Sequence, residues 1–131
     1  MAEEGELLAE KLRALGCPKV AVTDLAREDI HEAVEDAFRY GKLVLASTSY
    51  DGGVFPIMKH FIDLLTEHNY QNKLVGIIEN GSWAPSAART MKKLLEESKN
   101  IAFTETTVTI KSALREDSLA QLDALAAELM R

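Results

Sequence analysis

The sequence predicts an α/β fold, an open parallel sheet with helices on both faces, and three observations carry that reading. Short apolar, β-branched runs alternate with stretches of helical period along the chain. The connections are short, and none has the spacing of a hairpin. At 131 residues the chain buries roughly two thirds of its unfolded surface, enough for one core and a single domain over 1–131.

Taken in order, "EEGELLAEKLRALG" sets Leu7, Leu8, Leu12 and Leu15 on one stripe and ends at Gly16. With acids in its first turn it reads as a helix, and no strand precedes it. "KVAVTDL", bounded by Pro18 and the polar Asp24, is expected to be a buried strand. "EDIHEAVEDAFRYG" repeats apolar residues at Ile30, Ala33, Val34, Ala37 and Phe38 and closes at Gly41, a second helix. "KLVLAS" is fully apolar after its lysine, as strands are where both sheet faces are covered.

"PIMKHFIDLLTEHN" spaces Ile57, Met58, Phe61, Ile62 and Leu65 for a third helix, and "KLVGIIE" is another buried strand. "NGSWAPSAARTMKKLLEESKN" opens with turn chemistry and continues as a helix through Ala87, Met91, Leu94 and Leu95. "FTETTVTIK" alternates as a strand, and "REDSLAQLDALAAELM" is a last amphipathic helix. The expected total is four strands and five helices. Open sheets of this kind bind ligands beyond the carboxyl ends of their strands.

The composition narrows the function classes. With 47% hydrophobic and 27% charged residues the chain is globular, not disordered or fibrous. Its formal charge of -6 repels a phosphate backbone, which argues against nucleic-acid binding. The lone Cys17 can form no internal disulfide, which fits a reducing, cytoplasmic compartment. No apolar run approaches the ~20 residues of a membrane span, and the N-terminus is acidic where a signal peptide is basic. His31, His60 and His68 lack paired acids at metal spacing, so no metal site is expected.

Two stretches carry chemistry. "STSYDGG", Ser47 to Gly53, follows an apolar strand with hydroxyls on Ser47, Thr48 and Ser49, the flat ring of Tyr50, and Asp51 before Gly52 and Gly53. Asp-Gly is also a common turn and Ser or Thr caps helices, so alone it reads equally as a connection. "ENGSWAPSAA" follows the next apolar strand with Asn80, Gly81, Ser82 and Trp83. Two loops at one sheet edge, each with glycine, hydroxyl and an aromatic, suit a planar, partly polar aromatic ligand between them.

The strings "LVLASTSYDGGVFPIM" and "YQNKLVGIIENGSWAPSAARTM", with "TVTIK" following, resemble the flavodoxin-like domain at the carboxyl end of the flavodiiron proteins, or A-type flavoproteins. The resemblance runs from about Leu7 to Lys111. It implies a three-layer flavodoxin-like α/β/α fold and an FMN-binding, electron-transport role within an oxidoreductase. By position, Ser47, Thr48, Ser49, Tyr50, Asp51, Gly52 and Gly53 would flank one side of the flavin ring. Asn80, Gly81, Ser82 and Trp83 would line the other, with backbone N–H groups toward the pyrimidine edge. The implied partner is a redox protein or a di-iron domain.

Domains of this family open on a central strand and a Ser/Thr-rich loop that cradles the FMN phosphate, whereas this sequence opens inside the helix that follows. An N-terminally truncated domain is therefore expected, with FMN held weakly or not at all, since the helix start that favours a phosphate carries Glu3, Glu4 and Glu6. The "HxExDH" type of iron-ligand motif is absent, so an electron-transfer domain is expected and not a complete enzyme. The alternative is a flavin-free structural or interaction module. For the sheet, closure of the first two strands against each other is preferred over an open gap that recruits another chain, as in a homodimer.

Overall fold

The protein is described by a computed structural model over residues 2–25, 27–50, 53–54, 56–80, 87–96, 98–110 and 116–130. Helix α1, Ala2–Ala14, ends where expected: the N–H of Cys17 returns to the carbonyl of Leu12 at 3.0 Å. Gly16, at φ 97°, supplies the left-handed residue such a reversal needs. Leu8 and Leu12 are buried, but Leu15, also on the predicted stripe, is exposed because the helix has already ended.

Helix α2, Ile30–Arg39, is capped by Asp29, whose carboxylate accepts from the His31 N–H at 2.9 Å. Strand β1, Lys42–Tyr50, and strand β2, Gly53–Val54, are followed by helix α3, Pro56–Glu67, with proline at its first position. Strand β3, Lys73–Asn80, helix α4, Ala87–Leu95, strand β4, Ile101–Ile110, and helix α5, Glu116–Leu129, complete the order.

The sheet order is β2-β1-β3-β4, with β1, β3 and β4 parallel. Helices α2, α3 and α4 bury their apolar stripes on one face, around Phe61, Ile62, Leu65 and Met91. Helices α1 and α5 cover the other, around Leu122, Leu125, Ile78 and Val108. Burial on both faces is what the continuous apolar runs of β1 and β3 require. The first lysine of each strand also bonds to the end of a helix: Lys73 to the carbonyls of Phe38 and Tyr40 at 2.8 and 2.7 Å, Lys42 to that of Leu129. Each places a cation at the negative end of a helix dipole.

Three expectations are corrected. "KVAVTDL" is not a strand: residues 19–25 are half-buried or exposed, and no backbone ladder joins them to β1. A β-branched run becomes a strand only when a neighbour supplies hydrogen bonds, and here none lies alongside. Among the described residues three parallel strands result where four were expected, and the preferred closure of the first two against each other does not occur. The connection after β1 is also a hairpin, with Ser49 opposite Val54 and Tyr50 opposite Gly53. Asp51-Gly52 between them is a preferred two-residue hairpin sequence.

Tyr70 anchors the end of the sheet remote from the loops. Its ring is buried, meets Phe38 edge-on at 5.0 Å, and its hydroxyl donates to the Ala37 carbonyl at 3.0 Å. Burial pushes its pKa well above the ordinary value. The unfolded phenol ionises near 10, so the contribution of the neutral phenol is full below about pH 10 and is lost as pH rises toward the folded value. Tyr70→Phe is expected to cost about 1 kcal/mol at neutral pH. Urea titrations at about pH 8 and about pH 11 should show a smaller alkaline loss in the variant than in the parent.

Candidate functional site

The carboxyl ends of β1 and β3 lie side by side, Ser47 opposite Glu79 and Thr48 opposite Asn80. The predicted loop residues that the structure describes therefore start from one edge of the sheet. Ser47 is buried at the end of the apolar run and Asn80 is half-buried. Thr48, Ser49 and Tyr50 continue β1 into the hairpin, and Gly53 lies on its returning strand. Asp51, Gly52, Gly81, Ser82 and Trp83 lie outside the described residues. Helix α4, which follows the second loop, packs against both β1 and β2, so the elements flanking the two loops touch.

Glu79 is the functional-edge residue that pattern reading passed over. Its side chain is buried, with Oε1 accepting from the Ala88 N–H at 3.2 Å and Oε2 from the Thr109 hydroxyl at 2.9 Å. The first contact holds a free N–H in the first turn of α4, where a helix welcomes an anion. The second ties β3 to the carboxyl end of β4. Both oxygens are thus engaged, and the two ends of segment 80–86 are pinned together by one side chain. The signal was present in the sequence: an acid closing an apolar strand must find partners.

Two further features bound the chemistry. His31, His60 and His68 are all exposed, and among the described residues no group of three or more His, Cys, Asp or Glu is placed to hold a metal ion. Among those residues, too, no helix is long and apolar enough to cross a membrane. A cavity of about 910 Å³ runs along the outer side of β1 from Lys42 to Ser47, with residues 17–25 also lining it.

This architecture is a flavodoxin-like α/β fold with a parallel sheet and five helices among the described residues. Its structural neighbours include flavodiiron proteins as well as flavodoxins. The rubredoxin:oxygen oxidoreductase of Desulfovibrio gigas superposes with a TM-score of 0.86 at 18% identity, over 98% of this chain and 34% of that one. The flavodiiron protein of Giardia intestinalis gives 0.82 at 18% identity, over 98% and 33%. A flavodoxin from the domain Archaea gives 0.81 at 13% identity, over 98% and 87%. The chain thus spans about a third of the length of these flavodiiron proteins and most of the flavodoxin. No protein-family model matches the sequence, and no curated protein matches it.

Proposed function

We propose that this chain is a single FMN-binding electron-transfer domain of the flavodiiron kind, working with a di-iron domain or another redox protein in the cytoplasm. The observation that carries this reading is the parallel register that sets Ser47 and Thr48 beside Glu79 and Asn80 at the carboxyl edge of a flavodoxin-like sheet. Ligands in open α/β sheets bind at that edge.

The described residues suit such a group. Ser47 and Asn80 are polar residues at the carboxyl edge of neighbouring strands, and α4 follows the loop that begins at Asn80. The Glu79 charge would otherwise oppose an electron-rich ring, but Ala88 and Thr109 already hold it. When bound, FMN supplies the electron transfer itself. The chain's part is to hold the ring between Ser47, Thr48, Ser49, Tyr50, Asp51, Gly52 and Gly53 on one side and Asn80, Gly81, Ser82 and Trp83 on the other. Aromatic faces there stack on the ring, and fixed backbone donors at the pyrimidine edge stabilise added electron density.

Titration with FMN tests the proposal. Flavin fluorescence is expected to be quenched and the melting temperature to rise, by an amount equivalent to about 2.7 kcal/mol at a hundredfold excess over Kd. An unchanged fluorescence and an unchanged Tm at high micromolar FMN overturn it.

A further inference from the structure

Strand β4 forms one edge of the sheet, with β3 as its only neighbour among the described residues. Its ten residues, Ile101–Ile110, include seven with a branched Cβ and a single charge, on Glu105. Such a run pairs readily with a further strand, and left open it recruits other chains. The edge is not left open. Between Phe103, opposite Val75, and Thr107, opposite Ile77, β4 carries Thr104, Glu105 and Thr106 where β3 carries only Gly76, so these residues bulge from the ladder. The Thr104 hydroxyl closes the bulge on itself, donating to the Thr106 carbonyl at 2.8 Å.

Helix α5 then takes up donors that the edge presents. The N–H groups of Glu105 and Thr106 each donate to the Glu128 carboxylate at 2.8 Å, and the Thr106 hydroxyl donates to the same group. About two turns earlier in α5, Gln121 Oε1 accepts from the Thr109 N–H at 2.9 Å. Neither side chain belongs to the core that seats the helix, which rests on Leu122, Leu125, Ala126 and Leu129. At an edge reached by solvent, water satisfies such donors without help from the protein. What the two acceptors add is occupancy: a strand arriving there finds the N–H groups already taken.

We propose that Glu128 and Gln121 guard β4 against a second copy of this chain, holding the donors through which two β4 edges would otherwise pair antiparallel across a two-fold axis. A copy is the occupant this edge fits. A two-fold axis through Val108 sets the uncharged run Thr106–Ile110 against itself and places Thr107 opposite the copy's Thr109. By strand alternation these two residues face outward together, as the Thr109 bond to Gln121 shows, so they would exchange both backbone bonds. The guard involves none of the residues assigned to FMN and does not depend on that assignment.

The test removes both acceptors, Glu128→Ala with Gln121→Ala, and compares the pair with the parent by sedimentation equilibrium from about 10 μM to about 500 μM. The double variant is expected to self-associate roughly tenfold more tightly than the parent, with the Thr107 and Thr109 amides roughly tenfold slower to exchange in the concentrated sample than in the dilute one. Adding Thr107→Pro removes an outward N–H at an edge position that tolerates proline, and is expected to return association to the parent level. Circular dichroism is expected to be unchanged throughout. If the alanine pair loses it, Glu128→Met with Gln121→Met replaces that pair, keeping side-chain length and helix propensity without the carboxylate or the amide. In the unaltered chain the Glu105, Thr106 and Thr109 amides are expected to exchange at least roughly tenfold more slowly than in the unfolded chain. Unprotected amides there overturn the proposal whether or not the variants fold. So does a folded variant that associates no more tightly than the parent, or association that survives Thr107→Pro.

Discussion

Replacing Glu79 by alanine is expected to lower stability by about 3 kcal/mol, read as a fall in the urea midpoint at unchanged slope. Two charge-assisted bonds are lost, to the N–H of the buried Ala88 and to the hydroxyl of the half-buried Thr109. Bonds to a charged group contribute about 1.5–3 kcal/mol each, and a stranded buried donor adds its desolvation cost. The helix-dipole effect at α4 is smaller, about 0.3–1 kcal/mol, so hydrogen bonding dominates. Glu79→Gln keeps an acceptor for Ala88 and is expected to cost about 1 kcal/mol. Equal losses for the two variants would assign the effect to packing instead. Because Glu79 pins both ends of segment 80–86, Glu79→Ala should also weaken FMN uptake more than its stability loss explains.

Gly76→Val is expected to destabilise by a similar amount, about 3 kcal/mol, through overpacking. A Cβ on Gly76 would stand 2.9 Å from Leu125 Cδ1 and 3.6 Å from Thr104 Oγ1 and Val44 Cγ2. Leu125 has nowhere to retreat, since it and its neighbours Leu122, Ala126 and Val108 are fully buried. Gly76 also lies where the β3–β4 register shifts, opposite the bulge that Glu128 ties down. Glycine here lets α5 approach the sheet closely. Gly76→Ala should cost less, about 1–2 kcal/mol, and Leu125→Ala should relieve it. Thermal melts of the two single variants and the double variant check this: the double must be less destabilised than the sum of the singles.

The sequence by itself determined the five helices, the three parallel strands and the edge at which the two loops start. These follow from local pattern: helical spacing in α3 and α5, unbroken apolar runs in β1 and β3, and the rule that alternating elements build a covered parallel sheet. Tertiary structure alone decided the rest. "KVAVTDL" has strand composition, yet a strand exists only through a partner's hydrogen bonds, and β1 offers its open edge to a cavity instead. The hairpin residues Gly53 and Val54 form too short a run to register as a strand in the pattern. Glu79 closes an apolar run that looks like any other, and its partners Ala88 and Thr109 stand nine and thirty residues along the chain. Side-chain period is a property of neighbouring residues and can be read along the chain, whereas ladder pairing and buried-charge satisfaction belong to groups that only folding brings together.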